Sequence, residues 1–475
     1  MIQLNTLFTD HMTLQCEKPV KIWGEAKEAE QITVSLNGKV LLEKWVEKGE
    51  FSLLIPAQEA MENATLCIGN VTLRNVDFGE VWIAGGQSNM EFELYKEAHF
   101  EEVMEWKEDE HIRFYNVGRY AFYGEKEEFQ DNYPFWDRWM GFLKGDRKEF
   151  SAVGLYFAYQ LRKILKKPVA IVGCNWGGTT ASTWVPEEML TGTLNIFFKD
   201  RDQNFQGKLL DRGTYRFYNF PELKEDAEWY RSCYKSYPGR LFGTMVKRIA
   251  GYTAKGILWY QGESDAPRAD YYEELFRCVI KSWREAWKEE LPFLFAQLPP
   301  FDYWMNSSGM NFPIIREAQR RVEKGTSNCH MISLSDAGEA TDIHPREKRV
   351  VGDRMAQTAL KFWYGKDLFC EYPMAYSAQI GEGQVRISFQ NGEGLYVIPG
   401  QKLHAMEFWI DGNRRCVDSF RVEDTSLILY HISIHETSSV WIRFAETPYY
   451  QVNLYNKAGI PAIPFTLQAE KETQR

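Results

Sequence analysis

The sequence predicts an α/β protein in which a parallel sheet is covered by helices on both faces and preceded and followed by β-rich regions. Short apolar runs recur at 81–84, 169–173, 256–260, 293–297 and 331–334, with amphipathic stretches such as 154–166 and 271–287 between them. Strands that alternate with helices at this spacing build parallel sheets buried on both sides. The first 75 residues alternate apolar and polar side chains instead, and so do those after about 370. A period of two marks strands with one buried face. The predicted divisions are therefore 1–75, 76–368 and 369–475.

At the N-terminal end, Val20-Lys21-Ile22-Trp23 and Ile32-Thr33-Val34-Ser35-Leu36 read as strands, and Asn37-Gly38 leads into Val40-Leu41-Leu42. Asn-Gly between apolar alternations signals a tight hairpin. In the middle region Leu275, Val279, Trp283 and Trp287 recur every fourth residue, a stripe that belongs against a core. Alternation returns in Val385-Arg386-Ile387-Ser388-Phe389 and in Phe408-Trp409-Ile410-Asp411-Gly412.

A chain of 475 residues has room for two or three domains, and its 44% apolar and 15% aromatic content describes a fully folded protein. A net charge of -10 without a basic stripe makes nucleic acid a poor partner, and none is expected. No stretch is long and apolar enough for a bilayer span, and Met-Ile-Gln-Leu-Asn-Thr-Leu-Phe-Thr-Asp lacks the form of a secretory signal. The eight cysteines are scattered with no Cys-x-x-Cys pair. Reduced thiols and a cytoplasmic location are expected. Nothing in the sequence speaks to oligomeric state.

The chemistry gathers at the ends of the apolar runs. Ile83-Ala84-Gly85-Gly86 delivers Ser88 between Gln87 and Asn89, the second run leads into Asn175-Trp176-Gly177-Gly178-Thr179, and the third into Gln261-Gly262-Glu263. After the fifth come Asp336-Ala337-Gly338 and Asp342-Ile343-His344-Pro345. Parallel strands converge on one edge, where open α/β sheets bind ligands. A serine, an Asp-x-His pair, glycine N-H groups and an amide are what acyl transfer needs as nucleophile, oriented base and oxyanion donors.

Each motif also has a plainer reading. Gly-Ser-Asn and Gly-Gly occur in ordinary turns, Asp342 would cap a helix starting near Arg346, and Glu263 would be a solvated carboxylate. Asp336, Glu339, Asp342 and His344 lack a metal-ligand spacing. A glycosidase built on Glu263 and Asp342 leaves Ser88 and His344 without work. A non-catalytic carbohydrate-binding protein, stacking sugars on Trp176, Trp184, Trp259 or Tyr260, would not need the Ser, His and Asp set.

Gly86-Gln87-Ser88-Asn89-Met90, Asn175-Trp176-Gly177-Gly178-Thr179, Trp259-Tyr260-Gln261-Gly262-Glu263 and Asp342-Ile343-His344-Pro345 resemble the sialate O-acetylesterase family of SGNH-type hydrolases. Met12-Thr13-Leu14-Gln15, Pro313-Ile314-Ile315-Arg316-Glu317-Ala318-Gln319 and Asn453-Leu454-Tyr455-Asn456 extend the likeness over nearly the whole chain. The resemblance implies a three-layer α/β/α domain with β-rich flanks and metal-independent, cofactor-free removal of acetyl groups from sugar hydroxyls. It makes Ser88 the nucleophile, His344 the base, and the Ser88 N-H, a Gly177 or Gly178 N-H and the Gln261 amide the oxyanion donors. The acid is expected at Asp342, although the wider superfamily places it three residues before the histidine, where Thr341 stands; Asp336 is the reserve. Trp176, Trp259, Glu263 and Arg316 are the candidate substrate contacts. Both an O-acetylated sialate and an acetylated xylan or other oligosaccharide fit the family, and the acidic chain favours the neutral class.

Overall fold

A computed structural model describes residues 1–119, 136–198, 237–305 and 307–471. The chain divides into two compact units, one made of residues 1–264, 271–294 and 326–329, the other of 265–270, 295–325 and 330–475. The division passes through the strands Phe293–Ala296 and Cys329–Ile332.

In the first unit, Val71–Gly86 lies centrally and pairs in parallel with Val169–Asn175 on one side and Gly256–Tyr260 on the other. Asp109–Asn116 adds a further parallel strand, and Trp139–Phe142 closes the edge in antiparallel sense. The sheet is thus mixed rather than purely parallel. Val169–Asn175 and Gly256–Tyr260 are buried at every position, which explains their uninterrupted apolar sequences.

Helices cover both faces. Trp82 meets Phe157 of the helix Ala152–Leu165 with ring centroids 5.1 Å apart. Three residues on, and so on the opposite face, a Cβ at Gly85 would fall 2.8 Å from atoms of Trp259 and Trp283, the latter on the helix Tyr272–Trp287. Leu275, Val279, Trp283 and Trp287 all point inward, as their spacing requires. Ser151 starts the first helix, accepting the Gly154 N-H at 3.0 Å.

The expected boundary at residue 75 falls inside a single strand. Val71–Gly86 runs without a break, antiparallel to Met61–Ile68 in its first half, and only from Val76 onward is every residue buried. The change of period seen in the sequence is a change from one covered face to two. The expected hairpin is present: Glu30–Leu36 pairs with Lys39–Val46 across Asn37 (φ 49°) and Gly38 (φ 81°), both left-handed as a type I′ turn demands. Arg113 fastens this region to the sheet, donating to the carbonyls of Met12 and Asn75 at 2.8 Å and pairing with buried Asp77 at 3.0 Å. Burial pushes the Asp77 carboxyl up while the Arg113 guanidinium pulls it down.

The second unit carries the helices Phe312–Lys324 and Arg349–Tyr364 and two larger sheets, antiparallel except where Met374–Gly381 pairs in parallel with Glu470–Lys471. Gln384–Gln390 and Ser426–Tyr430 belong to one sheet, Met406–Ile410 and Val440–Phe444 to the other. Val385, Ile387 and Leu427 share one buried cluster with Phe408, Ile410 and Ile442. The described cysteines are free thiols; Cys233 lies outside the described residues.

Gly86 fixes where the serine is delivered. Its φ is +130°, and a Cβ there would sit 2.2 Å from the Tyr260 carbonyl oxygen. Gly86→Ala is expected to cost roughly 2–4 kcal/mol, since strain and a backbone clash act together. A melting temperature within about 2 °C of wild type would contradict this.

Candidate active site

The serine turn is built from backbone outward. The Gln87 N-H extends the parallel ladder to the Tyr260 carbonyl at 3.0 Å, and the Gln87 carbonyl then accepts the N-H groups of Met90 and Glu91 at 2.9 and 3.0 Å. One short helix, Ser88–Glu91, results, with half-buried Ser88 as its first residue. At that position the backbone N-H has no acceptor within the helix.

The two amide neighbours of Ser88 lock this turn to the end of the next strand. Gln87 Oε1 accepts from Gln261 Nε2 at 3.2 Å and from the Ser264 N-H at 3.3 Å, while buried Asn89 donates to Glu263 Oε1. Ser151 joins from the other side, donating to the Met90 carbonyl at 2.6 Å. The polar flanks that read as turn formers are thus ties between strand ends.

The glycine turn lies against the serine. The Trp176 N-H donates to the Gly86 carbonyl at 3.2 Å, and a Cβ built on Gly177 would fall 3.2 Å from Ser88 Cβ. The Gly177 N-H is held by Glu91 Oε2 at 2.6 Å, and the other Glu91 oxygen pairs with Arg119. The Arg119 guanidinium stands 5.0 Å from the Trp136 ring centre and 5.5 Å from that of Trp176. Gly178, exposed at φ +72°, makes the turn itself. Neither Glu91 nor Arg119 was singled out from the sequence. Glu91 had a signal, because it stands three residues after Ser88 and a helical turn puts it on the same side.

Several expected roles change. Gln261 is fully buried; its amide nitrogen donates to Gln87 Oε1 and to the Thr179 carbonyl at 3.3 Å, and its Oε1 accepts from the Tyr272 hydroxyl at 3.1 Å. Those two acceptors use both hydrogens of the amide, so it is a strut rather than an oxyanion donor. Trp259 is 1% exposed, packed edge-on to Trp184 and Trp283, and is core rather than a substrate contact. Trp176 is half-buried beside Arg119, and Glu263 is buried and bonded to Asn89.

In the second unit, Asp342 Oδ1 accepts the backbone N-H of His344 at 2.8 Å and lies 3.8 Å from its Nδ1. The two side chains thus lie side by side. Asp342 is not a helix cap: the following helix starts at Arg349 with Lys348 before it. The Ala340 carbonyl accepts the N-H groups of Asp302 and Tyr303 at 3.1 Å, and Trp304 then meets the His344 ring edge-on at 5.2 Å. Asp336 is engaged elsewhere, both oxygens taken by the Arg354 fork at 2.7 and 2.8 Å. Arg316, the remaining candidate substrate contact, is also engaged elsewhere. It is 1% exposed and donates to the carbonyls of Thr447 and Pro448 while facing the Tyr450 ring, so its charge is spent on backbone.

A family model of carbohydrate esterases, the sialic acid-specific acetylesterases, matches residues 225–361. The sialate O-acetylesterase of Rattus norvegicus is 28% identical over 411 residues, spanning 77% of this chain and 74% of that protein. That of Mus musculus is 26% identical over an alignment of 529 residues, spanning 97% and 93%. Among solved structures, a carbohydrate acetylesterase from Xanthomonas citri matches with a TM-score of 0.79 at 25% identity, covering 98% of this chain and 99% of that one. The chain is thus similar over most of its length to sialate O-acetylesterases and to a carbohydrate acetylesterase of known structure, and is a carboxylic ester hydrolase.

Proposed function

We infer that the protein removes acetyl groups from sugar hydroxyls through an acyl-enzyme formed on Ser88, with His344 as base and Asp342 as the acid that orients it. The observation that carries the reading is the serine turn: Ser88 stands at the carboxyl edge of parallel strands, first in a short helix, with a glycine turn packed against its side chain. Ser88 Oγ attacks the acetyl carbonyl while the His344 imidazole takes its proton. Collapse of the tetrahedral adduct breaks the bond to the sugar oxygen, and His344 returns the proton to that alkoxide. Water then repeats the sequence on the acetyl-serine and releases acetate.

Two backbone donors serve the developing oxyanion in this proposal. One is the Ser88 N-H at the start of its helix; the other comes from the Gly177-Gly178 turn. Gly178 is assigned that part, because the Gly177 N-H is held by Glu91. Gln261 acts through Gln87 as a positioning residue.

A fluorophosphonate probe tests the nucleophile directly. Incubation with the intact protein is expected to give one covalent adduct, mapped by peptide mass to Ser88. Absence of labelling would favour the non-catalytic carbohydrate-binding reading instead, and an adduct on another serine would move the nucleophile there.

A further inference from the structure

Next to the serine turn is a cavity of about 440 Å³ whose floor includes Gly173, at the carboxyl end of the strand that pairs with Val71–Gly86. Its walls bring together Glu91, Glu93, Glu149, Arg119 and Trp136. Among the described lining residues Arg119 is the cation, set against three carboxylates. Lys96 pairs with Glu93 at 2.6 Å and Lys148 lies 3.9 Å from Glu149, but both lysines stand outside the lining with side chains 45% and 50% exposed. Water and salt weaken pairs of that kind.

We propose that the Glu91–Arg119 pair makes this cavity selective for neutral acetylated sugars and against sugars that carry a carboxylate. The proposal rests on the acetylesterase reading and names the substrate class for it. Recognition of a sugar carboxylate calls for a guanidinium or ammonium group. Arg316 is buried under backbone carbonyls, and Arg119 is committed to Glu91, whose second oxygen holds the Gly177 N-H. An incoming carboxylate would have to break that pair and would then face Glu91 itself, a like charge at close range. A neutral sugar meets no such barrier: its hydroxyls donate to the wall carboxylates, and Trp136 offers an apolar ring edge. Rejection by an opposed charge is a common route to specificity.

The experiment compares kcat/KM for acetate release from an acetylated methyl glucoside and from the matching acetylated methyl glucuronoside, which differ only at the sixth carbon, with p-nitrophenyl acetate as the uncharged reference. Wild type is expected to favour the glucoside by about tenfold or more. In Glu91→Gln, whose amide oxygen still accepts the Gly177 N-H, the preference shrinks by about tenfold even where all three rates fall. Glu93→Gln, which leaves Gly177 untouched, should narrow it in the same direction and by less. Arg119→Met, which leaves the Glu91 carboxylate without its counter-charge, should widen the preference for the glucoside.

Equal wild-type rates on the two sugars, or a Glu91→Gln variant whose preference is unchanged, overturns the specificity proposal while hydrolysis of p-nitrophenyl acetate keeps the esterase reading intact. No hydrolysis of any of the three substrates overturns both.

Discussion

Ser88→Ala is expected to lower acetylesterase turnover by roughly 10⁴- to 10⁶-fold while leaving the fold unchanged. The loss is large because every later step depends on the acyl-enzyme: without Oγ, His344 has no proton to take and the oxyanion donors have no adduct to stabilise. The fold should persist because ties from neighbouring residues hold the turn. Its bonds are those of the Gln87 backbone to Tyr260, Met90 and Glu91, and of the Gln87 and Asn89 side chains to Gln261, Ser264 and Glu263. A melting temperature within about 2 °C of wild type is therefore expected alongside the lost activity. Asn89→Ala provides the contrast, since it empties a fully buried site bonded to Glu263 and should lower stability and turnover together. Should Ser88→Ala keep more than about a hundredth of wild-type turnover on p-nitrophenyl acetate, Ser88 is not the nucleophile.

The strands around this serine were legible in the sequence because burial on both faces leaves no room for polar alternation. The runs at 169–173 and 256–260 sit inside the strands Val169–Asn175 and Gly256–Tyr260. Arg316 was misread although its periodicity held the answer. Phe312, Ile315, Arg316, Gln319 and Val322 occupy one face of the helix Phe312–Lys324, and all five are buried, so the apolar positions around Arg316 already turned it inward. Motif residues near the site were harder to sort, because one block mixes groups that face a ligand with groups that fasten strand ends. Gln261 and Asn89 stand in such blocks as ties, and Asn456 in the last block donates to the carbonyls of Glu371 and Asn391. The bond from Gly177 to Glu91 joins positions 86 residues apart and leaves no local pattern. Only the register of adjacent strands brings those two segments together.

Asp342→Asn and Asp336→Asn are expected to separate function from stability. Asp342 already accepts the backbone N-H of His344 at 2.8 Å, and the same oxygen lies 3.8 Å from Nδ1, a gap that a small rotation of the ring closes into a hydrogen bond. In that arrangement the carboxylate selects the tautomer with Nε2 unprotonated and stabilises the imidazolium formed when the serine proton arrives. An asparagine keeps the turn, because its amide oxygen still accepts the N-H, but it loses the charge. Turnover should fall by roughly 10²- to 10⁴-fold at an almost unchanged melting temperature. Asp336 has a different task. Its two oxygens fill the Arg354 fork, and that arginine, only 11% exposed, also donates to the Ser333 carbonyl at 2.8 Å. Asp336→Asn therefore leaves a largely buried guanidinium without its counter-charge and should cost about 1–3 kcal/mol of stability, with turnover per folded molecule reduced by less than about tenfold. If the two variants behave the other way round, with Asp336→Asn losing turnover at full stability, the orienting acid is Asp336 and the Asp342 contact is only an Asx turn.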